Sequence, residues 1–524
     1  MHEIVTLQFG QQANYIGTHY WNTQESYFTY AGQEDSPVDH DISFRAGIGA
    51  DGADTYTPRT LIYDLKGAFG TLRRENALYG LQQHEDGPPR QGGWSGPTMP
   101  LQLPPIEPSG YQQALDQGRE PPRLSTETVR FWSDYNHIFY HPRSIVQLNE
   151  YELNSSLFPF ERADTGEELF AGLDREHDLL DRDLRPWLEE CDQLQGLQVL
   201  SGIDDAWGGF AAKYLERIAD ELGKGCRWVF GLQDGRCVGR ERGVLRGVNA
   251  GRSLLALGGG GSMQVPLASV PGGGAAYLEF EREARWHSSA LQAVAFESVT
   301  LPTRLRRAEA GRATFDALET TLNNEGNRRI AAAGLTIADP AHLEGAPQAN
   351  GHRDTRMANG HANGLANGHA HDEDAVPDMD FFPDLTATAT SGRTLGRKPH
   401  VFSTVTSLRG SWTSSEEPAD AQREVRDRRF APGPRASTLQ TGLLFPALAS
   451  YPRIFRFEGR PEGLAVKATL ATSTAVAERI RGLEGVARRG VGVEEREALC
   501  DGLRGVAEEY EEGWSDSEEG GEDE

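Results

Sequence analysis

Cysteine is nearly missing. Four residues, Cys191, Cys226, Cys237 and Cys500, stand among 524, and none forms a C-x-x-C pair. A disulfide scaffold is excluded, and a reducing compartment is the plain reading. Long apolar runs are missing too, since no stretch approaches the roughly 18 consecutive residues of a membrane-crossing helix. The first thirty residues lack the charged and apolar regions of a secretory signal. They also lack the Arg-rich, acid-poor pattern of a mitochondrial presequence. Basic charge is short, with 52 Lys and Arg against 78 Asp and Glu, a net of −26. That balance offers no basic face for DNA, RNA or an anionic membrane. Apolar residues make up only 38%, so part of the chain is expected to be unfolded loop or tail.

What is present alternates. Glu3-Ile4-Val5-Thr6-Leu7-Gln8-Phe9 reads as a strand that begins almost at the first residue and leaves no expected room for a leader. It ends at Gly10, and Gln11–Trp21 then places Ala13, Ile16, Gly17, Tyr20 and Trp21 at helical spacing. A strand, a glycine and a helix make a βα unit whose helix start can hold an anion. Thr60–Leu65 is a second strand, residues 80–123 read as a long surface loop, and Leu197–Leu200 is a buried strand. Asp204–Leu222 follows as a helix, and Cys226–Phe230 as another strand. Strands alternating with helices predict a mostly parallel α/β sheet covered on both faces.

Past residue 310 the texture changes. Arg304–Ala333 is helical in composition, and residues 343–377 repeat Ala-Asn-Gly-His units that read as a disordered insertion. Val401–Leu408 reads as a strand, Leu443–Ile454 as another, and 473–509 as helical. Residues 508–524 hold ten acidic side chains and no basic one, which reads as a disordered acidic tail. Gly258-Gly259-Gly260-Gly261-Ser262 imitates a phosphate loop but reads as a flexible loop. His287-Ser288 has no G-x-S-x-G elbow beside it, so core or turn positions are expected rather than a catalytic triad.

Several segments carry a resemblance. Glu3-Ile4-Val5, Gln8, Gly10-Gln11, Asn14, Ile16-Gly17 and Trp21 resemble the opening of a tubulin, and Thr57–Leu65 is similar to the tubulin second strand with its acidic end. With Trp132-Ser133-Asp134-Tyr135, His141-Pro142-Arg143-Ser144, Gln195-Gly196-Leu197-Gln198, Asp204–Phe210 and His287-Ser288-Ser289-Ala290, the whole chain resembles the Misato family of divergent tubulin-like proteins. The resemblance covers about 1–320 well and the rest loosely. It implies a segment over 1–118 and the remainder of a tubulin-like nucleotide domain over 119–320. A second α+β domain over 321–507, with the insertion and the acidic tail, completes the expected fold.

In the tubulin family the Gly-Gln turn after the first strand touches nucleotide phosphates, so Gly10, Gln11, Gln12 and Asn14 are the expected remnant of a nucleotide site. The departures matter more. Where tubulins have a glycine-rich phosphate loop, this chain has Asp204-Asp205-Ala206-Trp207-Gly208-Gly209. Two carboxylates facing a phosphate cost about 1–4 kcal/mol per like-charge pair at ~4 Å. The plain alternative is that Asp204 or Asp205 caps the helix. Ala13 replaces a glycine, Lys66 replaces an acidic residue, and Thr303-Arg304-Leu305-Arg306-Arg307 stands where a catalytic acid would be. No catalytic residue, metal ligand or cofactor is therefore expected, GTP being the one cofactor the resemblance would bring.

The resemblance implies a non-catalytic protein acting in mitochondrial partitioning, organisation and mitochondrial DNA inheritance. Its expected partners are proteins, tubulin or mitochondrial surface proteins among them, and its expected place is the cytosolic face of the outer membrane and the cytoplasm. A partner of tubulin or of its folding machinery, and a GTP-binding switch, are the alternatives.

Overall fold

The computed structural model describes residues 2–30, 34–48, 54–72, 106–223, 225–236, 238–344, 377–382, 399–412, 435–457 and 461–511. The first strands are β1 (Glu3–Phe9), the antiparallel pair β2 (Phe44–Ile48) and β3 (Asp54–Pro58), and β4 (Thr60–Lys66). They are followed by β5 (Ile145–Glu152), β6 (Leu194–Gly202), β7 (Cys226–Gln233) and β8 (Met263–Ala268). Six of them form one sheet in the order β5-β4-β1-β6-β7-β8, every pair parallel. The order reverses at β1, whose neighbours β4 and β6 lie on opposite sides. In open α/β sheets such a reversal opens a crevice at the carboxyl ends of the strands.

Helices cover both faces, which is why β4, β1, β6, β7 and β8 are buried along nearly their whole length, while the edge strand β5 is largely exposed. In β1, Val5, Leu7 and Phe9 point into one core and Ile4 into the other. The first core is built with α3 (Ala163–His177), α4 (Ala206–Leu222) and α5 (Arg240–Gly260). The second lies against α1 (Gln11–Glu25) and α6 (Arg285–Thr300). Helix α2 (Gly110–Asp116) sits on the turn around Trp132–Tyr135.

Beyond α7 (Phe315–Leu322) a second sheet packs on the far side of α6. Its strands are β9 (Ala332–Ala338), β10 (Met379–Asp380), β11 (Val401–Arg409), β12 (Arg435–Thr441), β13 (Phe445–Pro446) and β14 (Gly463–Ser473). They run β10-β9-β14-β11-β12, with β13 beside β14, and only β11 and β12 are parallel. Helices α8 (Thr474–Gly490) and α9 (Val493–Glu508) return to pack on α5. Among the described residues no helix is long and apolar enough to cross a membrane.

Five sequence expectations need correction. Within 304–333 only Phe315–Leu322 is an α-helix, and Ala332 already begins β9. Of Leu443–Ile454, only Phe445–Pro446 is strand. Residues 258–260 close α5 instead of looping, because Gly260 lies against the Leu215 backbone, where a Cβ would meet Leu215 C at 2.7 Å. The stretch 106–123, read as loop, contains α2, where Ser109 caps and Tyr111 and Gln112 are buried. The acidic tail begins later than residue 508. Glu508 ends α9, and Tyr510 is buried, its backbone-anchored hydroxyl accepting from Ile330 N at 2.6 Å and donating to Ile330 O at 3.0 Å. The rest of the expected tail, 512–524, and residues 345–376 of the expected insertion lie outside the described residues.

Candidate functional site

The crevice at the β1 reversal is a cleft of about 250 Å³. Gly10, Gln11 and Gln12 line it from the β1–α1 turn, and Asp204, Asp205 and Trp207 from the β6–α4 turn. The two turns that the sequence singled out therefore share one sheet edge.

Gly10 is required by its backbone, which has φ +87°. Left-handed backbone of this kind strains any residue with a Cβ. Space excludes a side chain as well, since a Cβ at Gly10 would lie 2.4 Å from the Trp207 indole nitrogen. Trp207 is 5% exposed, and Phe160 meets it edge-on with ring centres 5.1 Å apart. The indole is thus packed directly against the Gly10 turn.

The remnant polar residues are committed elsewhere. Asn14 donates from Nδ2 to Asp64 Oδ2 at 2.6 Å, and Gln11 donates from Nε2 to the same oxygen at 2.7 Å. Gln12 donates to Gln292 Oε1 at 2.8 Å. Asn14 is buried beneath the cleft and does not line it. Asp64 was visible in the sequence only as the acidic end of a strand, and here it organises the turn. Burial pushes its carboxyl up to about 7, against the lowering effect of the Leu65 N–H, Asn14 and Gln11.

The aspartate pair divides its work. Asp205 caps α4, its Oδ1 accepting from Trp207 N–H at 2.9 Å. Asp204 Oδ2 accepts from Asp234 N–H at 2.7 Å. Burial raises both carboxyls, and the neighbouring charge of Asp205 raises Asp204 further. Gly208 and Gly209 lie inside α4, not in a loop. A Cβ at Gly208 would meet Ser253 Oγ of α5 at 2.1 Å, and one at Gly209 would meet Ala163 O of α3 at 1.9 Å. These glycines let three helices approach one another.

Sequence reading missed the residues on the β7 and α6 side of the cleft. Asp234 binds Arg236 at 2.6 Å and Arg246 at 2.8 Å. Burial works against it, yet the two guanidiniums hold its carboxyl below the ordinary range. Gln233 lines the cleft at 1% exposure, and neither of its side-chain polar atoms has a partner among the described residues. Arg285 lines it from the first turn of α6. The available signal was position: polar residues at the carboxyl end of an otherwise apolar parallel strand face the crevice.

The comparisons with known proteins agree with the tubulin-like fold. Residues 2–117 match the Misato Segment II tubulin-like domain, and residues 121–305 match a tubulin domain. Protein DML1 of Phaeosphaeria nodorum is 45% identical, the match covering 99% of this chain and 100% of that protein. Protein dml-1 of Neurospora crassa is 44% identical, over 100% of each. Protein dml1 of Schizosaccharomyces pombe is 34% identical, over 62% of this chain and 70% of that protein.

Proposed function

Because this chain belongs to the Misato family of tubulin-like proteins, we propose that it works through protein contacts and not catalysis. Its setting in this proposal is mitochondrial partitioning and organisation and, through them, mitochondrial DNA inheritance. The observation that carries the non-catalytic reading is Trp207 set against Gly10, with Asp204 and Asp205 beside it. A tubulin-type site needs backbone N–H groups that wrap phosphate oxygens. Here the indole fills that approach, and Gln11 and Asn14 are turned to Asp64. Like-charged carboxylates add a repulsion of about 1–4 kcal/mol each at ~4 Å. The mitochondrial setting rests on the family resemblance. The net charge of −26 makes a protein-mediated link to mitochondrial DNA simpler than direct binding. On this reading the protein acts at the cytosolic face of the outer membrane, on partners that are proteins.

The test is to denature freshly purified full-length protein and identify any nucleotide it releases. The expected result is none in stoichiometric amount. One guanine nucleotide per chain would overturn the non-catalytic reading. Loss of the protein leaving mitochondrial distribution and DNA content unchanged in living cells would overturn the mitochondrial one.

A further inference from the structure

A cleft that repels phosphate still has unsatisfied chemistry. Asp204 and Asp205 line it, and two of the nearby guanidiniums, Arg236 and Arg246, are taken by Asp234. Arg242, at the rim, is paired with Glu161 at 3.0 Å. Arg282 and Arg285 also line the cleft, and the Arg285 charge works against the burial that raises Asp64 and Asp205. No ion pair engages Asp204 or Asp205 among the described residues, where they accept from the Asp234 and Trp207 backbone N–H groups.

A second observation is independent of charge. Gln233 is buried at 1% exposure and lines the same cleft, with its amide oxygen and nitrogen both unpartnered among the described residues. An orphaned buried amide of this kind is costly to fold around unless something enters to satisfy it. An incoming N–H donor would pair with the amide oxygen and with the carboxylates together.

A third observation concerns the mouth. The segment between β5 and α3 lines the cleft with Asn154, Ser155, Pro159 and Phe160. Between them Leu157 is 82% and Phe158 70% exposed. Two adjacent large apolar side chains held in water mark a surface that a protein covers. Asn154 turns the chain there with φ 59°.

Resting on the reading that the cleft holds no nucleotide, we propose that it is a docking site for a basic side chain of a protein partner. A lysine or arginine flanked by apolar residues enters between Asp204, Asp205 and Gln233, while its neighbours cover Leu157 and Phe158. Arginine suits the site better, because its planar fork donates to several acceptors at once. The charge inversion that expels phosphate is what admits the cation.

The experiment uses full-length protein and two probes. One is agmatine, decarboxylated arginine, which carries the guanidinium and a terminal ammonium without a peptide. The other is an array of nonapeptides with arginine at the centre between leucine and phenylalanine, printed beside the same array carrying citrulline. Binding is expected to favour arginine over citrulline at least tenfold. It is expected to fall at least tenfold in Asp204→Asn/Asp205→Asn, which keeps the helix cap and the shape. Leu157→Ser/Phe158→Ser should lose the peptides and keep agmatine. Thermal melting of each variant confirms that it folds.

Equal retention of citrulline peptides, binding that survives Asp204→Asn/Asp205→Asn, or no binding of agmatine overturns the proposal. Agmatine binding without peptide binding overturns it in favour of a small free cation. Tight binding of GTP would overturn the underlying reading of the cleft. Absence of both GTP and arginine binding would overturn this inference alone.

Discussion

Glu297 and Asp204 are both buried carboxylates in this molecule, and they are completed in opposite ways. Glu297, on α6 between the two sheets, accepts from Tyr27 OH at 3.1 Å, Gln24 Nε2 at 3.3 Å and Arg304 Nη2 at 3.3 Å, and it also binds Arg409. Arg304 spends its other donors on Gln24 Oε1 at 3.0 Å and Thr300 Oγ1 at 2.7 Å. Arg409, at the end of β11, reaches Leu443 O and Leu444 O. Glu297, Arg304 and Arg409 are each 0% exposed. This cluster ties the end of α1, α6 and the second sheet together, and its charges are met by hydrogen bonds. In the cleft no ion pair engages Asp204 or Asp205 among the described residues, and Gln233 is left over. Saturation marks a joint; surplus marks a place where something else arrives.

The comparison breaks most sharply at Glu297. Glu297→Gln leaves two desolvated guanidiniums without a counter-charge and should lower stability by about 3–5 kcal/mol. Asp204→Asn, the same isosteric change in the open cleft, should lower it by less than about 1 kcal/mol or raise it. Urea unfolding followed by circular dichroism measures both. Equal losses would mean that the two clusters are the same kind of structure.

The next effect is steric. Gly10→Ala forces a Cβ into left-handed backbone and against Trp207. It should cost about 1–3 kcal/mol. In a Trp207→Ala background the same change should cost less by about 0.5–3 kcal/mol, the coupling expected of two groups in contact. Additive losses would show that the indole does not press on the turn.

The smallest effect is a slope. The Asp64 carboxyl rises from 3.8 to about 7 on folding, with burial as the main cause. Between those values the folded protein holds a proton that the unfolded chain has released, so stability falls as pH rises through the window. The groups facing it are Gln11, Asn14, the Leu65 N–H and Arg285. In Asp64→Asn the thermal midpoint should fall less steeply than in wild type between pH 5 and 7. Parallel slopes would assign the titration to another group.

Much of the first sheet was legible because its strands are short apolar runs ended by glycine or aspartate, and the two turns that form the cleft stood out for the same reason. The second sheet was not. β9 (Ala332–Ala338) opens on two alanines that end the stretch 304–333 read as helical, and its strand state comes from pairing with β14, over a hundred residues away. The glycines at 208, 209 and 260 misled for a related reason. A small residue that admits a backbone looks the same in sequence whether the visitor is a phosphate or a helix. Asp205 could be read as a helix cap from its position alone. Gln233 carried a signal in its position at the end of an apolar strand, whereas Arg285 could not be read as a cleft residue until α6 was brought to the same edge as β1.

The central claim is that the tubulin-type phosphate cradle is closed by Trp207 and the aspartate pair. Calorimetry of GTP with Mg²⁺ against the full-length protein and Asp204→Gly/Asp205→Gly tests it directly. The account predicts little or no heat for wild type and tighter binding for the variant, because repulsion is removed and glycine still serves as a helix cap. Tight, Mg²⁺-dependent binding by wild type that is lost in the variant would contradict it, making the aspartates ligands of a metal–nucleotide complex.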